Sequence, residues 1–243
     1  MLYNEEAVRS SIRNRDGKRV FYLGRKDQLT SGARDYLSRE RIPILPAEQA
    51  KPERYRLSGG GYLEEKPEHM THLSRDILVP KTHPRILFRG KMDTLEAELI
   101  LCQLADEALS PKVGEVLDLA RHLIRCEVLD EPVTHEKLCG LTEAEQRKRS
   151  HFPQDYYGQP HFMPSAVDGM VIARLNRARC AAREAELSAA EAFRDREGAP
   201  TRPDILRALN RMSSMLYIFM IEEKAKNLPP GEGGFKNGPK GRF

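Results

Sequence analysis

Three sets of side chains in this sequence have the types and spacing to hold a phosphate-bearing ligand. Arg179, Arg183 and Glu186 recur at i, i+4 and i+7, which puts them on one face of a helix. Two arginines one turn apart repel by roughly 0.2–0.5 kcal/mol. Glu186 offsets one of them, so the other asks for an outside anion. Asn210, Ser213, Ser214 and Tyr217 make a polar or small stripe within a greasy segment. A mid-helix Asn competes with the backbone for hydrogen bonds, so this amide is a candidate ligand contact. Thr71, Ser74 and Lys81 bring two hydroxyls and a cation within eleven positions, a combination that can wrap a polyphosphate. Each set also has a plainer reading, as a solvated helix face, a wetted bundle edge and an ordinary polar loop.

The elements that must position these groups are mostly helical. Around Asn210, Ile205, Leu209, Met212, Leu216 and Phe219 repeat at spacings of four and three, predicting a helix over 201–221. Thr201 with Asp204 reads as its capping-box-like start, and Pro203 is tolerated in the first turn. The arginine face lies in an Ala-rich helical stretch, 165–196. Its Ala178, Ala181, Ala182, Ala185 and Ala189 let a partner helix approach closely. Asp93 followed by Glu96 resembles a capping box for a helix from Thr94 to Leu109. Ser110-Pro111 opens another, with Val113, Val116, Leu117, Ala120, Leu123 and Ile124 as core, and Thr142 to Glu145 caps a shorter one. Between the last of these and the arginine helix runs HFPQDYYGQPHFMPS (151–165), an aromatic loop that either closes over a large flat ligand or plugs the bundle end.

The front of the chain differs. Residues 19–23 and 42–45 read as short strands flanking a helix capped by Thr30 or Ser31. Residues 46–66, centred on Ser58-Gly59-Gly60-Gly61, read as a flexible linker. The expected fold is mainly α: an up-and-down bundle of about five helices with a small N-terminal α/β element. The expected domains are 1–68 (element and linker), 69–228 (bundle) and 229–243, a Gly-, Pro- and Lys-rich tail expected to be disordered.

Composition narrows the function classes. At 243 residues, 40% hydrophobic and 31% charged, the chain can bury a sizeable core. Its 40 basic and 36 acidic residues leave a formal charge of +4, too balanced for a bulk nucleic-acid binder. No apolar run approaches a membrane span, and the N-terminus has no signal-like core, so a cytoplasmic protein without membrane or nucleic-acid partners is expected. Cys102, Cys126, Cys139 and Cys180 never form a CxxC and are expected as buried thiols, with no metal site.

Four separated segments, in order, carry a family resemblance that covers roughly 69–221. Leu209-Asn210-Arg211-Met212-Ser213-Ser214-x-Leu216-Tyr217 resembles the LNRLSDxLF segment of the ATP:corrinoid adenosyltransferases. The longer RPDILRALNRMSS resembles their ethanolamine-utilisation branch. Lys81-Thr82-His83-Pro84-Arg85 through Asp93-Thr94-Leu95 is similar to that family's KDHPRxEAYGxxDEL, and Thr71-His72-Leu73 to its TxL phosphate loop. Ala178-Arg179, Arg183, Ala185 and Glu186 match part of its ARxxxRRAER helix, with Glu184 and Leu187 in place of arginines. His161-Phe162-Met163-Pro164 resembles its FxxP piece shifted by one. The family's GDxGxT opening is absent, Thr94 replaces a Glu, and no CCxxC cluster follows His69.

The resemblance implies transfer of the 5′-deoxyadenosyl group of ATP to Co(I) of a reduced corrinoid, giving adenosylcobalamin and triphosphate. It implies that Thr71, Ser74, Lys81 and Arg183 meet the phosphates with Mg²⁺, that Asp93 pairs with Arg179, and that Glu186 and Asn210 serve the nucleotide. Either His161 or Phe162 holds the place on the lower face of the corrin. A homo-oligomer, trimer or dimer, is implied, a cobalamin-dependent lyase is the expected recipient, and the expected location is the cytoplasm or a bacterial microcompartment within it. The rival reading is a non-catalytic carrier of adenosylcobalamin.

Overall fold

The structure is a computed structural model that describes residues 1–15, 17–50 and 55–226. The expected disordered tail, 229–243, lies outside the described residues. The chain divides after His83 into two compact units.

The first unit is larger and more regular than a small appendage. It contains β1 (Leu2–Tyr3), α1 (Glu5–Ser11), β2 (Arg13–Arg15), β3 (Lys18–Leu23), β4 (Gln28–Leu29), α2 (Ser31–Arg39), β5 (Ile44–Pro46), β6 (Tyr55–Leu57), β7 (Tyr62–Leu63), β8 (Met70–Ser74) and β9 (Ile77–Pro80). Seven of these strands form one mixed sheet in the order β5-β3-β2-β7-β6-β9-β8. The expected strand–helix–strand is present as β3, α2 and β5, and Thr30 caps α2 by accepting from the Ala33 amide at 3.3 Å. Val8, Phe21, Ala33 and Leu37 are buried, so α1, α2 and β3 share a small core.

The expected linker, 46–66, is instead folded in its described part. β6 pairs with β7 across the glycine run, and these strands join β2 on one side and β9 on the other. The glycines serve turn geometry rather than flexibility. Gly60 and Gly61 have φ of +92° and +87°, and a Cβ on Gly61 would lie 2.8 Å from the Ile12 carbonyl oxygen. Sequence composition reports polarity but not which strand a short polar run pairs with.

The second unit is the helical bundle: α3 (Pro84–Ala105), α4 (Ser110–Leu129), a short hairpin of β10 (Lys137–Leu138) and β11 (Leu141–Thr142), α5 (Glu143–His151), α6 (Pro153–Tyr157), α7 (Gly169–Ala192) and α8 (Pro203–Lys226). Four helices are long: α3 packs on α4 and α7, and α8 packs on α7, α4 and α5. Ile205, Leu209, Met212, Leu216 and Phe219 of α8 are all fully buried, as are Ala178, Ala182, Ala185 and Ala189 of α7. The alanines leave room for close approach of neighbouring helices. Thr142 and Glu145 form the expected capping box at the start of α5.

Two helix starts differ from expectation. α3 begins at Pro84, not Thr94, so Asp93 sits mid-helix and caps nothing. Phe88, Met92, Leu95, Leu99 and Cys102, spaced four, three, four and three, form its buried stripe. At α8, Thr201 does not cap: its hydroxyl donates to the Phe193 carbonyl at 2.8 Å. Asp204 instead accepts from the Val133 amide at 2.9 Å and from Arg202 at 2.8 Å, while Arg202 also donates to the Glu131 carbonyl.

That knot ties the start of α8 to the chain leaving α4, and it has a pH signature. The Arg202 guanidinium, then the backbone amides, hold the Asp204 carboxyl down at about 2, below its ordinary value near 4. A depressed carboxyl adds stability that is complete above the unfolded pKa and lost as pH falls through the folded one. Asp204 is therefore expected to contribute about 2 kcal/mol at neutral pH, vanishing between roughly pH 4 and 2. Urea titrations of Asp204→Asn at pH 7, 4 and 2.5 should show a lower midpoint at pH 7 and a flatter decline below pH 4 than the parent. Parallel declines would refute the assignment.

Candidate functional site

In the bundle, α5, α7 and α8 enclose a cleft of about 230 Å³. It is lined by Arg179 and Arg183 of α7, by Asn210, Arg211, Ser213, Ser214 and Tyr217 of α8, and by Ser150 and His151 of α5. The helix period does this: residues at i, i+4 on α7 and i, i+3, i+4, i+7 on α8 point into the space between the two axes. The arginine face and the Asn210 stripe, separate in the sequence, meet here.

The three arginines have different surroundings. Arg179 donates to Asn176 Oδ1 at 3.0 and 3.2 Å, and its guanidinium lies 6.0 Å from the centre of the Tyr217 ring. The expected pairing of Arg179 with Asp93 is not made within the chain, because Asn176, one turn back, takes the guanidinium. Asp93 is exposed and forms no ion pair among the described residues. Arg183 is exposed and makes no hydrogen bond, ion pair or ring contact among the described residues, which leaves its fork open to an anion. Arg211 is 7% exposed; its Nη2 donates to Asn210 Oδ1, while Nε and Nη1 have no hydrogen-bond partner among the described residues. Burial pulls its guanidinium below the ordinary arginine range.

Asn210 is held from both ends. Its Nδ2 donates to Glu186 Oε1 at 3.2 Å, and its Oδ1 accepts from Arg211. Glu186 thus faces Asn210 across the two helices. Tyr217 stacks on His161 with ring centres 5.8 Å apart. His161 Nε2 is 3.1 Å from the His151 carbonyl, which can only accept, so Nε2 carries the proton and Nδ1 accepts from the Tyr217 hydroxyl at 2.7 Å. Burial pushes that hydroxyl above its usual range.

The aromatic segment divides its residues between the two expected roles. Tyr157 and Phe162 pack against the bundle core, and Phe162 also carries Lys224 at 5.5 Å from its ring centre, so these two act as the plug. Phe152 is 59% exposed, and together with His151, Pro160 and His161 it lines a second, more apolar hollow of about 190 Å³. Of the two expected corrin contacts, His161 is exposed and Phe162 is half-buried against the core. The sequence reading missed the short α6 in this loop, which Pro153 opens and Gly158, in the left-handed region, ends.

Thr71, Ser74 and Lys81 belong to the first unit, where the expected phosphate loop is a β8–β9 hairpin. Alternation alone would put Thr71 and Ser74 on opposite faces. An irregularity between His72 and Ser74 inserts one residue, and Thr71 pairs with Val79 while Ser74 pairs with Ile77, so both hydroxyls share a face. Lys81 is exposed and bound to Glu68 at 2.7 Å.

Ser150, His151 and Arg211 were not anticipated. Arg211 had a legible signal: Ala208, Arg211, Met215 and Ile218 lie at spacings of three, four and three, and the three apolar members are buried. A lone arginine in a second apolar stripe marks a buried charge.

The profile of the cobalamin adenosyltransferase family matches residues 61–223. A Salmonella typhimurium protein named corrinoid adenosyltransferase EutT is 37% identical over 164 residues, covering 67% of this chain and 61% of the relative. An Escherichia coli K12 protein of the same name is 35% identical over 158 residues, covering 65% of this chain and 59% of the relative. The chain thus spans about three fifths of the length of these curated relatives. The EutT relatives agree with the ethanolamine-utilisation branch indicated by RPDILRALNRMSS. With the profile covering most of the chain and the cleft built from the matched segments, the chain belongs to the cobalamin adenosyltransferase family.

Proposed function

We propose that this protein is an ATP:cob(I)alamin adenosyltransferase. The observation that carries the reading is the cleft in which Arg183, without a partner among the described residues, stands beside Arg179 and the doubly held Asn210. In the reaction, the Co(I) electron pair of the corrinoid substrate attacks C5′ of ATP. A cobalt–carbon bond forms, the C5′–oxygen bond breaks, and triphosphate leaves. Cobalt is the nucleophile, so no protein base is needed. The chain's work is to orient two substrates and neutralise the leaving group.

Arg183, with its open fork, takes the triphosphate, and Asn210 takes the nucleotide. Thr71, Ser74 and Lys81 are assigned to phosphate oxygens on the family motifs, and the shared face of the two hydroxyls supports treating them as a pair. Lys81 exchanges Glu68 for phosphate when the nucleotide binds. Mg²⁺ is assigned to the phosphates of the nucleotide, where it would share their charge with Arg183. His161, exposed and backed by Tyr217, is assigned to the corrin face in preference to Phe162. Asp93, exposed and unpaired among the described residues, is assigned to an arginine of a second copy.

The test is anaerobic: protein, ATP, Mg²⁺ and chemically reduced cob(I)alamin, followed by the absorbance of adenosylcobalamin. Turnover is expected, and Asn210→Ala should raise the KM for ATP by about tenfold or more, through loss of a hydrogen bond in a charged network. Tight adenosylcobalamin binding without turnover would replace this reading with the carrier. Neither turnover nor binding of either substrate would reject both.

A further inference from the structure

We propose that Arg211 is a positioning residue that locks the Asn210 side-chain amide in a single orientation, with Oδ1 on Arg211 and Nδ2 turned to Glu186. The inference rests on the reading of Asn210 as the nucleotide contact. An Asn amide is nearly symmetric in shape, so its two flips differ only in which end donates and which accepts. Here a donor-only group, the Arg211 guanidinium, meets Oδ1, and the Glu186 carboxylate accepts from Nδ2. Flipping the amide would set N–H against N–H at one end and oxygen against carboxylate at the other. One Nδ2 hydrogen is used by Glu186, and the second remains for an acceptor on the nucleotide, a ring nitrogen or a ribose oxygen.

Packing does not explain Arg211. It is more than nine-tenths buried, and two of its nitrogens lack hydrogen-bond partners among the described residues. The nearest carboxylate, Glu143, is 4.0 Å from Nε. A buried, half-satisfied guanidinium weakens a fold relative to an apolar side chain of similar length. Stability and ligand binding should therefore respond to its removal in opposite directions.

The experiment compares the full chain with Asn210→Ala, Arg211→Met, Arg211→Lys and the Asn210→Ala/Arg211→Met double variant. Thermal midpoint, MgATP affinity by calorimetry and the side-chain amide NMR signals of Asn210, identified by their loss in Asn210→Ala, are recorded for each. Arg211→Met is expected to keep or raise the midpoint and to weaken MgATP binding about tenfold. The double variant should bind no more weakly than Asn210→Ala alone, because Arg211 acts through Asn210. The Asn210 amide signals should shift in Arg211→Met and less in Arg211→Lys, which also serves if the methionine variant does not fold. Additive losses in the double variant, or amide signals unchanged by substitution of Arg211, would overturn the proposal. A parent protein that binds no MgATP while its Asn210 signals still depend on Arg211 would defeat the nucleotide reading and leave the positioning role standing.

Discussion

Arg183→Ala is expected to slow adenosyl transfer by roughly 100-fold or more while leaving the fold intact. The leaving triphosphate gathers negative charge as the C5′–oxygen bond breaks, and a preorganised cationic donor at that charge is worth about two to three orders of magnitude. Arg183 is the cleft arginine with no competing partner among the described residues, whereas Arg179 is held by Asn176 and Arg211 by Asn210. Its loss therefore removes a group free to follow the phosphates. Because it is exposed and unpaired, stability should change by no more than about 0.5 kcal/mol. Arg183→Lys should recover part of the rate, since it keeps the charge but not the two-pronged geometry. Steady-state kinetics over an ATP series, with a thermal melt of each variant, decides the matter. An alanine variant with unchanged kcat and KM would remove Arg183 from the site.

The largest stability effect should come from Glu127→Ala. Glu127, on α4, is 0% exposed, and both its oxygens are taken by α3: Arg85 Nε at 2.5 Å and Arg89 Nε at 2.7 Å. Arg85 also donates to the Glu127 carbonyl at 2.9 Å, and its guanidinium sits 5.7 Å from the centre of the Phe193 ring. Removing the shared carboxylate takes a charged acceptor from two half-buried arginines and leaves a void in its buried place, a loss of up to about 3–5 kcal/mol by analogy with broken buried pairs. Glu127→Gln, which keeps shape and one acceptor, should lose less. Replacing all three residues by apolar side chains of similar size should restore most of the stability, because desolvation offsets much of what a buried ion pair contributes. Urea unfolding of the three variants tests the ordering; a Glu127→Ala midpoint equal to the parent's would show that the clamp contributes nothing. Arg85, which the KTHPR motif brings to notice, thus has a structural role visible in the bundle.

Much of the local structure was legible because it depends on periodicity and caps. The α8 stripe, the alanine face of α7, the Thr142 capping box and the Thr30 cap of α2 all follow from side chains interacting within a turn or two. Expectations failed where a polar residue looked like a local helix cap and the surrounding packing gave it another place. Asp204 suggested a local cap with Thr201, but Val133 and Arg202 hold it. Asp93 suggested a helix start, but the buried stripe from Phe88 onward carries the helix back to Pro84.

The sequence by itself determined which residues share a helix face and, through four ordered motifs, which family the chain belongs to. Only the tertiary structure decided that the α7 arginines and the α8 Asn210 stripe line one cleft, and that Glu186 of α7 accepts a hydrogen bond from Asn210 of α8. It alone packed a half-buried Phe162 against the core and left His161 exposed, and it alone showed a buried Arg211 behind the amide. The reason is physical. Helix faces and caps arise from neighbours three or four residues apart, whereas a cleft arises from which faces pack, and packing joins residues whose separation in the chain carries no periodic trace.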